Sequence, residues 1–396
     1  MREALIVLAA AGIALAQPAP HPYIGAGGCA SSNCHGATAP LAPSDSRILG
    51  NEYATWSVAD KHARAYKVLT EPRGKRMAEI LKIADATHDK RCAVCHVAGS
   101  PEKSLSDGVA CEACHGGAEQ WLGTHTRQNS HEDSVRKGMI DTKNVKIRAE
   151  TCLACHLGKG EQVVDHELIA AGHPDLAFEL DTFTAAQPAH HRPMPPAMRV
   201  REWAIGETVA LAEQMRLVGA HAGKSWPEFS DLECYQCHHD LRAESWRIAR
   251  GYGSRRPGSL QLNVGRLEIV RELVGVAAPE ERAALDAAIA RLTANVMDGG
   301  ATGQAAKAIE RIADGLTERF QKQEIDAAAV LRAVAASIGR IADGGVNAAE
   351  QATMTLDALG AALGRNPDVT TPLYNYLEHP STYRPGEFVS LFQRAM

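Results

Sequence analysis

Aromatic residues are scarce in this chain, and neither positive charge nor long apolar segments are in excess. Phe, Trp and Tyr make up 5% of the 396 residues, and the formal net charge is -5. A negative balance excludes a generally basic surface of the kind that binds nucleic acid. No segment reaches the roughly twenty apolar residues that span a bilayer, so we expect no transmembrane span in the mature chain. Cysteine is missing after Cys237, which excludes cysteine-based sites from the last part of the chain.

What the chain does have is cysteine in five pairs, each followed directly by histidine. Four pairs have the spacing Cys-x-x-Cys-His ("CAVCH", "CEACH", "CLACH" and "CYQCH"), and the first, "CASSNCH", has four intervening residues. Together they use all ten cysteines: Cys29, Cys34 and His35; Cys92, Cys95 and His96; Cys111, Cys114 and His115; Cys152, Cys155 and His156; Cys234, Cys237 and His238.

The histidine decides what these pairs indicate. A cysteine pair is typical of a zinc site, of a redox dithiol or, when histidine follows, of a covalently attached haem. Histidine makes up only 17 of 396 residues, so its presence after every pair favours haem. The two thiols bond to the haem vinyl groups and the histidine becomes the proximal iron ligand. We predict five haem c groups, although five disulfides in a secreted protein are the alternative.

The start of the chain predicts export. The segment "MREALIVLAAAGIALAQ" has one arginine, an apolar stretch from Ala4 to Ala16 and small residues before Gln17, which is typical of a signal peptide over residues 1–16. We expect a periplasmic or secreted protein.

Length and spacing bound the architecture. The motifs between Cys29 and His238 leave too little chain to wrap each haem in its own apolar core, so the haems must form the core themselves. We expect a mainly α protein: an irregular helical multihaem cytochrome domain over residues 17–250 whose core is stacked haems, a linker over 251–259, and a C-terminal α-helical bundle over 260–396. The segment "GYGSRRPGS" has a linker's composition.

Apolar residues spaced three and four apart predict the helices of the bundle, as in Leu285–Val296, Ile309–Phe320 and Leu331–Ile341. Short turns between them favour an up-and-down bundle. In the first domain, we predict helices over Trp56–Leu69 and Val200–Gly219. The bundle is either a scaffold beside the haems, which we favour, or a docking module, and the aromatic segment Leu373–Phe388 is expected to pack back on it.

The sixth coordination position of each iron decides between electron transfer and chemistry, since an iron with histidine on both faces has no vacancy for substrate. Twelve histidines lie outside the motifs, and five are needed. The candidates are His62, His125, His166, His173 and one of His190 and His191. If residues 166–173 are helical, His166 and His173 share a face. His88 and His131 are weaker candidates, His239 could serve only a neighbouring haem, and His21, His221 and His379 are expected at the surface.

Several segments resemble one known family. "YIGAGGCASSNCHG", "EYATWSVADKHARAY", "GVACEACHGGAEQWLGTH", "HELIAAGHPDLAFEL" and "ECYQCHHDL" are similar to segments of the multihaem cytochromes related to cytochrome c-554, which are electron carriers. The resemblance covers roughly residues 23–242. It implies that the distal ligands are His62, His125, His166, His173 and His190. Cytochrome c-554 has four haems, one of them without a distal ligand, so the fifth motif and the helical tail depart from the family.

These observations predict a carrier of electrons between a redox donor and an acceptor, with no catalytic residues. The alternative is a redox enzyme acting on a small nitrogen or sulfur compound at one five-coordinate haem. All five motifs end in histidine, whereas the pentahaem nitrite reductases hold their catalytic haem with a motif that ends in lysine.

Overall fold

The computed structural model of the protein describes residues 22–42, 47–224, 226–238, 259–294 and 296–396. The predicted signal peptide, His21, His239 and nearly all of the predicted linker lie outside the described residues.

Helix is the regular structure of the described residues, where extended pairing is limited to the isolated bridges Lys159–Gln162 and Leu232–Leu262. The mainly α fold class is thereby confirmed. In chain order, the α-helices are α1 Glu52–Ala59, α2 Ala65–Thr70, α3 Pro72–Leu81, α4 Lys90–His96, α5 Cys111–His115, α6 Leu122–His125, α7 His131–Arg136, α8 Val145–His156, α9 His166–Ala171, α10 Leu180–Ala186, α11 Pro196–Ala222, α12 Gly265–Ala277, α13 Arg282–Ala294, α14 Gly299–Phe320, α15 Ala327–Ala336, α16 Ile338–Asp343, α17 Val346–Ala362, α18 Thr371–Leu377 and α19 Pro385–Ala395.

Two helices of the first domain differ from their prediction. The predicted helix Trp56–Leu69 is broken after α1, because the Asp60 carboxylate accepts a hydrogen bond from the backbone N–H of His62 at 2.9 Å and starts a 3-10 turn there. The condition under which His166 and His173 would share a helix face is not met, since α9 ends at Ala171 and is followed by Gly172, whose φ of 118° suits glycine. His173 therefore lies beyond the helix.

Helix α11 is the central element of the molecule. It confirms the predicted helix Val200–Gly219 and extends it at both ends. It packs against α8 and α10 on one side and against α12, α14 and α17 on the other. Its buried residues, among them Trp203, Leu211 and Met215, belong to one apolar cluster that runs from Ala149 to Phe392. The core is thus continuous across the predicted boundary between the two domains, and the division itself stays a prediction.

The C-terminal bundle is built from α12 to α19. Asp298 and Asp326 cap α14 and α15, each accepting a hydrogen bond from a backbone N–H in the first helical turn. The predicted helix Leu331–Ile341 is interrupted at Ser337, which separates α15 from α16. The aromatic segment does pack back, since Phe388 is fully buried and the Tyr383 hydroxyl donates to the carbonyl oxygen of Ala342 at 2.8 Å.

The part of the chain before Ala149 has little apolar interior of its own. Its apolar cluster consists of Ala26, Trp56 and Ala110.

Among the described residues, no helix is both long enough and apolar enough to cross a bilayer.

Candidate haem-binding sites

The cysteine motifs sit at the ends of short helices. Helices α4, α5 and α8 each end on the motif histidine, so that cysteine, cysteine and histidine fall at positions i, i+3 and i+4 of one helix face. The first and last motifs instead begin within 3-10 turns, Ala26–Cys29 and Cys234–Gln236. No disulfide joins any two of the ten cysteines, in contrast to the alternative of five disulfides.

We number the sites 1 to 5 by the order of their motifs. In four of them the motif histidine faces a predicted distal histidine from another segment, at ring-centre distances of 6.1 to 6.4 Å: His35 and His125 in site 1, His96 and His173 in site 2, His156 and His62 in site 4, and His238 and His166 in site 5. A metal bound by two imidazole nitrogens, at about 2 Å from each, separates the ring centres by about 6 Å. The four gaps therefore fit one iron each.

The ring planes differ between these sites. They are nearly parallel in sites 1 and 5, at 14° and 29°, and perpendicular in sites 2 and 4, at 88° in both.

Hydrogen bonds from Nδ1 orient four of the motif and predicted distal histidines. The Nδ1–H groups of His96, His125, His173 and His190 donate to the backbone carbonyl oxygens of Ala65, Leu122, Pro174 and Pro188, at 2.5 to 2.9 Å. A carbonyl oxygen can only accept, so the proton is on Nδ1, and in His96, His125 and His173 the lone pair of Nε2 is available to a metal. Such partners fix the orientation of a metal-binding histidine.

Two carboxylates orient histidine rings in the same way in sites 1 and 4. Nδ1–H of His35 donates to Oε2 of Glu52 at 2.9 Å, and Nδ1–H of His62 donates to Oδ1 of Asp60 at 2.9 Å. Burial opposes ionisation of both carboxyls, but the hydrogen bonds from the histidines and from backbone N–H groups lower the pKa of each to about 2. Both therefore stay charged at neutral pH.

Site 3 is arranged differently. Burial, and then the charge of nearby His190, lower the pKa of His115 to about 4. His190 is the predicted distal residue, and its Nε2 atom lies 3.6 Å from Oδ2 of Asp60, which is buried at 2% exposure. Asp60 thus lies between His190 of site 3 and His62 of site 4.

Contacts between the motifs define the order of the sites in space. The sulfur atoms of Cys29 and Cys111 lie within hydrogen-bonding reach of each other, which joins sites 1 and 3. Asp60 joins sites 3 and 4. Gln162 Nε2 donates to the sulfurs of Cys95 and Cys155, at 3.2 and 3.4 Å, and joins sites 4 and 2.

Site 5 continues this series next to site 2. Arg91, which precedes Cys92, makes an ion pair of 3.5 Å with Glu167, which follows His166. Helix α9 also begins at His166 of site 5 and ends at Ala171. His173 of site 2 lies two residues beyond that end. The sites therefore follow one another in the order 1, 3, 4, 2, 5.

Sequence reasoning missed the residues that hold the motifs in place. Glu112, inside the third motif, is buried and accepts hydrogen bonds from the backbone N–H groups of Ile24, Gly25 and Ala118 at 2.7 to 3.0 Å. It therefore fastens the segment before the first motif to the third motif. Its position between two predicted haem-anchoring cysteines was the only signal in the sequence, and nothing there distinguishes it from a solvated glutamate.

The weaker candidates lie in other surroundings. Nε2 of His131 is 3.0 Å from Oδ1 of Asp141, His88 is bonded through Nδ1 to Asp85, and His221 is bonded through Nδ1 to Asp231 at 2.7 Å. The Nε2 atom of His131 is thus already engaged by a carboxylate.

Comparison with known proteins relates part of this region to one family. Residues 29–116 match the family described as cytochrome c554 and c-prime. Cytochrome c-554 of Nitrosomonas europaea is 32% identical over 114 residues, which are 24% of this chain and 48% of that protein. The chain thus matches about half the length of this curated relative. No solved structure matches.

Residues 29–116, which contain the first three cysteine–histidine motifs, thus resemble c-type cytochromes of this family. The comparisons support a c-554-related cytochrome over that segment.

Proposed function

We propose that this protein is an exported multihaem cytochrome that transfers electrons between two redox proteins through five haems. The haems would be attached at the ten cysteines, with His35, His96, His115, His156 and His238 as proximal ligands. The distal ligands would be His125, His173, His190, His62 and His166, in the same order of sites. Haem supplies a centre that gains and loses one electron, with a potential that its ligands and burial set.

The facing histidine rings carry this proposal. Two ligands from the chain at one iron leave no position for a substrate, and four sites have rings at the required separation. The backbone and carboxylate partners of Nδ1 hold these rings in place without help from a substrate. The protein's task is then to fix ligands and to arrange the sites in series.

The alternative, a redox enzyme acting on a small nitrogen or sulfur compound, has one specific observation in its favour. His190 of site 3 directs Nε2 toward Asp60, so site 3 is the candidate for an iron with an open position. Electron paramagnetic resonance of the oxidised holoprotein separates the two functions. We expect low-spin signals alone, and a high-spin signal from one haem would favour the enzyme.

Substitution tests the ligands directly. His62→Ala removes the ring that faces His156, so the reduced variant is expected to bind carbon monoxide at one haem. His131→Ala is the matched control, since His131 is bonded to Asp141, and it should leave carbon monoxide binding unchanged. Equal binding by both variants would contradict the assignment of His62. The mass of the exported protein, expected to include five haems and to begin at Gln17, tests attachment and export.

A further inference from the structure

We propose that the outer surface of α2, α3 and α4, beside site 2, is the docking surface for an acidic redox protein. The proposal rests on the proposed electron-transfer function, and it names the surface and the chemistry of one partner.

The first support is an imbalance of charge. Between residues 61 and 90 the exposed basic residues outnumber the exposed acidic ones, although the chain as a whole has a net charge of -5. The basic residues are Lys61, Arg64, Lys67, Arg73, Lys75, Arg76, Lys82 and Lys90, and the acidic ones are Glu71, Glu79 and Asp85. This surface is therefore positive in a chain that is negative.

The second support is that many of these cations lack acidic partners. Among the described residues, Lys61, Lys75, Lys82 and Lys90 make no ion pair. Arg216 on α11 and Arg271 on α12 are arranged otherwise: Arg216 contacts Glu213, Glu310 and Asp314, and Arg271 contacts Glu268 and Asp286. Unneutralised charge attracts an oppositely charged protein and raises its rate of association.

The third support is the position of the surface. The inner sides of these helices hold both histidines of site 2. The carbonyl oxygen of Ala65, at the start of α2, accepts from His96, and the Arg73 guanidinium on α3 donates to the carbonyl oxygen of Gly172, which precedes His173. One helix, about 10 Å thick, is what separates such a surface from the site behind it.

Exposed apolar side chains on the same helices suit a protein partner. Val68 on α2 and Ile80 on α3 are 41% and 47% exposed. Protein interfaces combine an apolar centre with a polar rim. We therefore assign the occupant as a protein.

The test uses the full-length holoprotein and a reduced plant-type ferredoxin, a small acidic iron–sulfur protein, as the probe. Its rate of electron transfer to the haems is measured by stopped flow over a range of ionic strength. The surface variant carries Lys75→Glu, Lys82→Glu and Lys90→Glu. The matched control carries Arg291→Glu, Lys307→Glu and Arg332→Glu, which make the same change of charge at exposed positions on α13, α14 and α15.

We expect the second-order rate at low ionic strength to fall about tenfold or more in the surface variant and less than about twofold in the control, with the difference vanishing at high salt. Equal slowing of both variants would show an effect of net charge only and overturn the proposal. Tight binding of the wild type, but not of the surface variant, to vesicles of anionic phospholipid would also overturn the proposal if the surface variant oxidises ferredoxin no more slowly than the wild type. Haem content and circular dichroism check that each variant is folded.

Reduction by dithionite distinguishes failure of the docking surface from failure of the proposed electron-transfer function. If dithionite reduces all haems of the wild type while ferredoxin reduces wild type and surface variant at the same rate, the docking surface is wrong and electron transfer stands. If dithionite leaves the haems oxidised, the proposed function itself fails.

Discussion

Before Ala149 the described residues include eight buried apolar side chains, of which Ala26, Trp56 and Ala110 form a cluster. From Ala149 onward one apolar cluster continues to Phe392. The exposed side chains show the opposite distribution: ten of the twelve large apolar side chains that are exposed lie before residue 260. The two regions therefore differ in what fills them. The bundle is held by its own side chains, whereas the motif region would depend on the haem that we propose its cysteines bind.

The test of this difference with the largest expected effect removes the cofactor. We expect the full chain, produced without haem attachment, to lose structure before Ala149 and to keep the bundle, because burial of apolar side chains is the main stabilising contribution in the bundle alone. Hydrogen exchange checks this region by region. Amides of α1 to α7 should exchange close to the rate of an unfolded chain, and those of α12, α14 and α17 should stay protected. Protection of both regions in the apoprotein would remove the distinction.

A second test removes a buried ion pair between the bundle and α11. Arg266 on α12 makes a 2.7 Å ion pair with Glu207 on α11, and both residues are buried. Arg266→Met leaves an unpaired carboxylate and should lower the free energy of unfolding by about 3 to 5 kcal/mol.

Arg266 also connects the bundle to site 4. It donates to the carbonyl oxygen of Phe178, whose ring stacks on His156 of site 4 at 5.1 Å. The double variant Arg266→Met, Glu207→Leu should recover most of the loss, while exposed Arg332→Met should change little. A single variant as stable as the wild type in chemical denaturation would contradict this assignment.

A third test uses pH. Burial, and then the charges of Glu207 and Asp181, raise the pKa of Glu179 to about 8 from its ordinary 4.5. Since the folded state holds this proton more tightly, the contribution is fully present below about pH 4.5 and is lost as the pH rises through about 8. Between pH 5 and 8.5 the wild type should lose at least about 1 kcal/mol that Glu179→Gln does not lose. Denaturation of both proteins at the two pH values measures it.

The smallest expected effect is at the surface between the regions. Lys146 on α8 and Glu318 on α14 form an exposed ion pair at 3.0 Å. Exposed pairs contribute little, so Glu318→Gln should lower the free energy of unfolding by less than about 1 kcal/mol. A larger loss would mean that charge, rather than the apolar contacts of α11, joins the two regions.

The sequence predicted the parts of this structure that local patterns encode. Motif spacing indicated the five candidate sites, and apolar periodicity located α13, α14 and, as one uninterrupted helix, α15 and α16. The break at Asp60 escaped prediction because one side-chain hydrogen bond there competes with an otherwise helical pattern.

The pairing of histidines escaped prediction for a different reason. His35 meets His125, and His96 meets His173, across long stretches of chain whose path no local pattern determines. The resemblance to the c-554-related cytochromes suggested which histidines serve as distal ligands, but not which motif each one faces. The carboxylates that position them, Glu52 and Asp60, become recognisable only once the chain is folded.

Helix α11 has a consequence for any attempt to study the motif region separately. Its buried residues Leu211, Met215 and Val218 belong to the same cluster as α14, and the Thr317 hydroxyl of α14 donates to that of Thr208 at 2.8 Å. A fragment that stops before residue 260 would keep α11 but uncover this side of it. Such a fragment should self-associate in solution, so its failure to remain monomeric would be no evidence that the missing residues bind a partner.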